Sequence, residues 1–159
     1  MRFCYADPPY PGCAHRYPEK TEVDHAELVA TLVRDFPDGW ALSTASTTLA
    51  QVLELCPKGV RIGAWVKPFA VFKPNVNPAY AWEPVIFMGG RKRTRQEPTV
   101  RDWHSANITL KKGLCGAKPP TFNQWILDIL GYRQGDEIVD LYPGTGGMSA
   151  ALAAQEPRT

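Results

Sequence analysis

The sequence of 159 residues lacks an apolar run long enough to span a membrane, and its N-terminus lacks the pattern of a signal peptide. None of the four cysteines forms a C-x-x-C pair, so we expect no zinc site or other metal site. Unpaired thiols of this kind are typical of a reducing compartment, and we therefore expect a cytoplasmic protein. The sequence also lacks an internal repeat and the Gly-x-x-x-x-Gly-Lys-Ser/Thr loop that cradles phosphates.

Short apolar runs that predict strands alternate along the chain with segments of helical period. Predicted strands cover 3–6, 40–44, 60–66, 84–88 and 137–142, and predicted helices cover 24–36, 47–56, 122–130 and 148–155. Asp24 and Thr121 are the predicted N-caps of the first and third helices. Strands separated by helices favour one α/β domain over 1–159 with a mostly parallel sheet, carrying a basic insertion at about 89–117.

The net charge of +2 says little about binding partners, but the positive charge is concentrated in one segment. Its basic residues are Arg91, Lys92, Arg93, Arg95, Arg101, Lys111 and Lys112. Only Glu97 and Asp102 oppose them there. Such a local excess is a candidate surface for nucleic-acid phosphates. A solvated loop is the alternative interpretation.

Asp7-Pro8-Pro9-Tyr10 follows the first predicted strand and could assist reaction at an amino group attached to an aromatic ring. Such an amine is a weak nucleophile because its lone pair is delocalised into the ring. The Asp7 carboxylate and the backbone carbonyl beside it can accept its two N–H hydrogens. Two prolines stiffen the loop, and Tyr10 offers a flat face for an extruded base. The alternative is a rigid loop without a chemical role.

A glycine-rich turn, Asp-Leu-Tyr-Pro-Gly-Thr-Gly-Gly over 140–147, follows the last predicted strand. Glycine lets a ligand approach the backbone, and the helix that follows presents free N–H groups. A plain tight turn is the alternative. Lys118-Pro119 precedes the third predicted helix, whose aromatic residues include Phe122 and Trp125. Taken alone, this second segment indicates only a helix start with core aromatics.

In their order along the chain, these motifs resemble the S-adenosylmethionine-dependent amino-methyltransferases of DNA and RNA whose catalytic motif precedes the cofactor motif. Residues 6–10 match the Ala-Asp-Pro-Pro-Tyr motif, 82–86 the Trp-Glu-Pro strand, 118–119 the Lys-Pro motif and 140–146 the cofactor turn. The resemblance spans nearly the whole chain. It implies a Rossmann-like methyltransferase sheet, mostly parallel and shortened at the C-terminal side.

The resemblance also implies roles for individual residues. Asp7, Pro8, Pro9 and Tyr10 would form the catalytic loop that holds the target amine. The residues implied around S-adenosylmethionine are Asp7, Lys118, Pro119, Phe122, Asp140, Leu141, Tyr142, Gly144, Thr145 and Gly146. The Asp-Pro-Pro-Tyr form is commoner for adenine N6 than for cytosine N4, so methyl transfer to adenine N6 in DNA is the leading interpretation. Neither a metal nor a covalent intermediate is required.

Two other functions stay open at this point, and RNA stays open as the substrate. One is a catalytically silent nucleic-acid-binding protein on a shortened methyltransferase fold. The other is a methyltransferase for a protein or small-molecule amine. The resembled enzymes also continue with further strands after the glycine turn. The last predicted strand would therefore form an exposed sheet edge, and we expect a homodimer or a partner subunit to cover it.

Overall fold

The computed structural model describes residues 1–17, 20–69, 74–109 and 117–155. The strands in these ranges are β1 (Arg2–Ala6), β2 (Gly39–Ser43), β3 (Arg61–Val66), β4 (Trp82–Gly89), β5 (Trp103–Ser105) and β6 (Glu137–Asp140). The α-helices are α1 (His25–Asp35), α2 (Leu49–Leu53), α3 (Pro120–Leu130) and α4 (Gly147–Ala153). A short 3-10 turn covers Ala14–Arg16.

The strands form one sheet in the order β5-β3-β4-β2-β1-β6. β1 runs parallel to both β2 and β6, and β3 runs parallel to β5. β4 is antiparallel to both of its neighbours, β2 and β3, so it alone runs against the other described strands. The mostly parallel α/β sheet predicted from the sequence is therefore confirmed.

The helices cover the two faces of the sheet in pairs. On one face α1 and α2 enclose a cluster that includes Leu32 and Leu42. On the other face α3 and α4 enclose a second cluster, in which Phe122 and Met148 pack with Phe3. α1 follows β1 onto the first face, whereas α4 follows β6 onto the second. The chain therefore leaves the neighbouring parallel strands β1 and β6 toward opposite faces of the sheet.

One of the two predicted helix caps is confirmed and the other is wrong. The Asp24 carboxylate accepts hydrogen bonds from the backbone N–H groups of Ala26 and Glu27, each at 3.0 Å. The third helix begins at Pro120, before Thr121, and Pro119 is its N-cap. Proline suits the first helical position because the N–H it lacks would have no partner within the helix.

The structure also differs from the predicted boundaries in the middle of the chain. The second helix covers only Leu49–Leu53, and the fourth strand is extended in both directions to Trp82–Gly89. Trp103–Ser105 forms a strand that was not predicted, within the basic segment, and it pairs with β3. Three residues are too few to show an alternating pattern, so β5 depends on the neighbouring strand for its definition.

The helices of the described ranges are short. α1 and α3 have 11 residues each, α4 has 7 and α2 has 5. Crossing a bilayer takes about 20 apolar residues. None of the helices in these ranges is both long and apolar enough to span a membrane. β6 lies at one end of the strand order, and coverage of this edge by a second subunit stays a prediction.

The carboxylate of Asp136 stabilises the end of the sheet at which the parallel strands begin. It lies 2.7 Å from the N-terminal ammonium and 2.7 Å from the Arg91 guanidinium, and it accepts the backbone N–H of Arg133 at 2.8 Å. Burial alone would raise the pKa of Asp136. These three donors outweigh burial and lower the pKa to about 2.

We expect Asp136→Asn to lower the free energy of unfolding at pH 7 by about 1–3 kcal/mol, because hydrogen bonds to a charged acceptor are lost. The depressed pKa stabilises the wild-type fold above the ordinary aspartate pKa, and this stabilisation disappears as the pH falls toward 2. Urea unfolding at several pH values should therefore show a weaker acid dependence in the variant. Asp128→Asn, on the exposed side of α3, is the control. Identical pH dependence in wild type and Asp136→Asn would contradict this account.

Candidate active site

Polar side chains from separate elements converge at the carboxyl ends of the parallel strands. Asp7 directly follows β1, Asp140 ends β6 and Lys67 directly follows β3. Glu83 reaches the same edge because β4 runs in the opposite direction and has this residue near its start. In open α/β sheets, ligands bind outside the carboxyl ends where neighbouring strands lead to opposite faces. β1 and β6 form such a pair.

A cluster of two carboxylates and two ammonium groups occupies this edge. The Lys118 Nζ atom lies 3.0 Å from Asp7 Oδ1, 3.3 Å from Glu83 Oε2 and 3.0 Å from the Tyr10 hydroxyl. The Lys67 Nζ atom lies 2.9 Å from Glu83 Oε1. The Lys118 side chain is only 8% exposed, so its charge is compensated almost entirely by protein groups. We call these five residues the charged cluster.

The ionisation of the charged cluster follows from burial and from the opposite charges. Burial favours neutral Lys118, but Asp7 and Glu83 outweigh it and raise the pKa of the ammonium. Burial would raise the pKa of Glu83, but Lys118 and Lys67 outweigh it and lower that pKa. For Asp7, burial is the larger influence, and it raises the pKa although Lys118 opposes it. Asp7 therefore takes up a proton at a higher pH than an ordinary aspartate.

The predicted catalytic loop is held rigidly against the charged cluster. The Tyr10 hydroxyl donates a hydrogen bond of 2.9 Å to Glu83 Oε2, and its ring lies 5.5 Å from Lys118 Nζ. The Tyr10 carbonyl accepts the backbone N–H of Cys13 at 2.8 Å, which closes a turn. Pro8 is buried. Tyr10 is therefore held both at its side-chain hydroxyl and at its backbone carbonyl.

A cleft lies beside the charged cluster, between the ends of β1 and β6. Six of the ten residues predicted around the cofactor line it: Asp7, Lys118, Asp140, Tyr142, Gly144 and Thr145. The backbone N–H of Tyr142 donates to the Asp140 carboxylate at 3.2 Å, which helps to hold the turn. Burial raises the pKa of Asp140. The glycine turn and Asp7 of the predicted catalytic loop thus line one cleft.

The other four residues predicted around the cofactor do not line the cleft. Phe122 is fully buried, with its ring 5.3 Å from that of Trp65. Pro119 is the N-cap of α3, and Leu141 packs against the cluster under α1 and α2. Gly146 is the N-cap of α4 and has a left-handed backbone with φ of 75°. These four residues lie outside the lining of the cleft, and their contact with a ligand stays a prediction.

Asn123 lines the cleft although the sequence patterns did not single it out. The residue is 3% exposed. Gly147 makes room for it, since a Cβ atom there would lie 2.6 Å from the Asn123 Nδ2 atom. The signal in the sequence is weak, because Asn123 is one of several polar residues of α3, beside Gln124 and Asp128.

The first part of the basic segment, with Arg91 and Arg93, lies away from the charged cluster. It leaves the sheet after Gly89, which pairs with Gly39 at the start of β2 and so marks the opposite edge. Arg91 is paired with Asp136, and Arg93 donates to the carbonyl of Asp128 at 2.6 Å. Of the other predicted basic residues, Lys92, Arg95 and Arg101 are exposed. Lys111 and Lys112 lie outside the described residues. Nucleic-acid binding by this segment stays a prediction.

Solved structures share this fold at low sequence identity. The structure of the M1.HpyAVI-SAM complex superposes with a TM-score of 0.68 and 15% identity, covering 98% of this chain and 78% of that one. A second structure of M1.HpyAVI has a TM-score of 0.63 and 11% identity, covering 98% and 76%. No family model and no curated protein matches the chain. Over nearly its whole length, the chain therefore has the same fold as M1.HpyAVI.

Proposed function

We propose that this protein transfers a methyl group from S-adenosylmethionine to an exocyclic amino group of a nucleic-acid base, with adenine N6 in DNA as the target. The observation that carries the proposal is that Asp7 shares one cleft with the glycine turn after β6. The order of the sequence motifs supports it. The fold shared with M1.HpyAVI, whose structure is described with SAM bound, supports it as well.

The residues of the cleft fit this cofactor. The carboxamide of Asn123 lines the cleft and can bond to a polar group of the ligand. Gly144 has no side chain and a φ of 45°, so the backbone can be approached closely. Asp140 and Tyr142 offer a carboxylate and an aromatic ring, both favourable near a sulfonium charge. These residues and Thr145 would hold S-adenosylmethionine, which when bound supplies the electrophilic methyl group.

In the proposed reaction, Asp7 accepts a hydrogen from the target amine. Both hydrogen-bond contacts to its side chain from Lys118 and Tyr10 involve Oδ1. The other oxygen, Oδ2, has no hydrogen bond to a described residue and can accept an N–H. The backbone carbonyl beside it provides a second acceptor, and Pro8 and Pro9 keep that carbonyl in place. Accepting both hydrogens leaves the nitrogen lone pair available, and fixed alignment accounts for much of the catalytic advantage.

We expect Asp7→Ala to lower methyl transfer by about 100-fold or more, because the acceptor for the amine hydrogen is lost. The assay measures labelled methyl groups transferred to single-stranded DNA, duplex DNA, RNA and free nucleosides in parallel. Asp102→Ala removes an exposed carboxylate that pairs with Arg61 and serves as the matched control. Wild-type turnover in Asp7→Ala would contradict the proposed catalytic loop. Cofactor binding without turnover in the wild type would favour a catalytically silent nucleic-acid-binding protein.

Lys118 is expected to act as a positioning residue that also sets the ionisation of Asp7. The rate should rise with pH as Asp7 loses its proton, with a midpoint above that of an ordinary aspartate. Lys118→Met removes the ammonium that favours the carboxylate, so the midpoint should move to higher pH. Lys58→Met, at an exposed site, should leave the profile unchanged. An equal midpoint in wild type and Lys118→Met would show that Lys118 only supports the structure.

Asn123→Leu is expected to weaken the binding of S-adenosylmethionine at least about fivefold, because a hydrogen bond of the cleft is replaced by an apolar group of similar size. Isothermal titration calorimetry measures the affinity directly, without a need for turnover. Gln124→Ala, at the next position of α3 and outside the cleft lining, is the control. Equal affinity of wild type and Asn123→Leu would remove Asn123 from the cofactor site.

A further inference from the structure

One face of the outer strands is apolar and exposed. Along β3, Gly63 and Trp65 are buried toward α3 and α4, whereas the alternate residues Ile62 and Val66 are 41% and 36% exposed on the opposite face. Side chains alternate across a strand, so the exposed residues share one side of the sheet. This is the side on which α1 and α2 pack over the neighbouring strands.

Two tryptophans lie on the same side and flank β3. Trp82 of β4 pairs with Val66, and Trp103 of β5 pairs with Ala64, so both side chains share the face of those partners. They are 39% and 45% exposed. The guanidinium of Arg101 lies 5.3 Å from the Trp103 ring centroid. We call the surface formed by Ile62, Val66, Trp82 and Trp103 the tryptophan face.

No element of the described ranges covers the tryptophan face. α2 has only five residues, and its buried Val52 belongs to the cluster that includes Leu42 of β2 and Ile86 of β4. α2 therefore packs on β2 and β4 and does not extend over β3 and β5. A contiguous exposed apolar patch on a protein surface commonly marks a binding site.

The tryptophan face extends to the same end of the sheet as the candidate active site, but the two lie on opposite sides of β4, since Glu83 pairs with the buried Trp65 on the other face. Trp82 directly precedes Glu83, whose carboxylate bonds to Tyr10 and Lys118 in the charged cluster. Tyr80, shortly before β4, and Phe69, shortly after β3, are 50% and 55% exposed. Exposed aromatic rings and the candidate active site therefore lie at the same end of the sheet.

We propose that the tryptophan face binds unpaired bases of a single-stranded nucleic acid that flank the target nucleotide. The inference rests on the proposed function and extends it from the target base to its neighbours. Base stacking on aromatic rings tolerates any sequence, because every base has a π-face. Trp82 and Trp103 lie on strands two spacings apart, about 10 Å, so they can receive different bases.

Charge favours a nucleic acid over a second copy of this chain as the occupant. Arg101 forms no ion pair with a described residue, and its guanidinium lies on the tryptophan face. The neighbouring Asp102 is already paired with Arg61. An apolar protein contact here would bury the Arg101 charge without compensation, which is costly. A phosphate group would neutralise it.

The test measures fluorescence anisotropy of a labelled oligothymidylate of about 12 residues, which is within the usual size of single-strand sites. It contains no adenine, so its binding depends on the flanking surface and not on the proposed target base. We expect the double substitution W82L/W103L to weaken binding about tenfold or more, because two stacking partners are lost. W82F/W103F keeps aromatic rings and should recover most of the affinity. V33A, at an exposed apolar residue of α1, is the control.

Each result decides the proposal. A loss of affinity in W82L/W103L with recovery in W82F/W103F supports it, even when the wild type transfers no methyl group, because the probe bypasses the reaction. Equal affinity of wild type and W82L/W103L overturns it. Conversion of a dimer to a monomer with unchanged oligothymidylate affinity also overturns it and assigns the face to a second copy. If W82L/W103L does not fold, as judged by thermal unfolding, the same comparison is made with W103L alone, and unchanged affinity in W103L overturns the proposal.

Discussion

The buried ammonium of Lys118 is the interaction on which the candidate active site depends. It joins Asp7, from the end of β1, to Glu83, from the start of β4, and it holds the Tyr10 hydroxyl between them. Without this charge, two carboxylates would face each other at a half-buried site, and each would favour protonation of the other. Removing one partner of a buried ion pair commonly costs about 3–5 kcal/mol, because the remaining charge is left uncompensated. Lys67 limits this cost on one side only, since it bonds to Glu83 and not to Asp7. Asp7 is therefore the member of the cluster whose ionisation responds most directly to Lys118.

The features that could be predicted from the sequence are those determined by covalent neighbours. Asp7 follows a strand, the glycine turn follows another, and Asp24 caps a helix; each of these needs only a few adjacent residues. The contacts of Glu83 could not be predicted, although it lies within a recognised Trp-Glu-Pro segment. They require that β4 run antiparallel, so that the start of this strand meets the carboxyl ends of the others. β5 could not be predicted for a related reason, since three residues become a strand only beside β3.

The same limit explains why Phe122 was predicted at the cofactor and Asn123 was not. Adjacent residues of an α-helix point about 100° apart, so only one of the two can face the cleft. Phe122 completes the core with Trp65 and Trp125 on the inner side of α3. Asn123 faces Gly147 at the start of α4, and that neighbour comes from a segment 24 residues further along the chain (147 − 123). Whether a polar residue on an apolar helix faces solvent or a cleft is decided by such tertiary contacts.

Positive charge in the sequence is likewise an incomplete guide to the nucleic-acid surface. Arg91 and Arg93 lie at the opposite end of the sheet, where they bond to Asp136 and to helix carbonyls. A guanidinium held in this way contributes to stability and has fewer donors left for phosphate. Among the described residues near the candidate active site, the exposed groups include aromatic rings, and the lysines of the charged cluster are buried among carboxylates. Exposed aromatic rings are better suited to bases that are already unpaired, since stacking then requires no separation of strands.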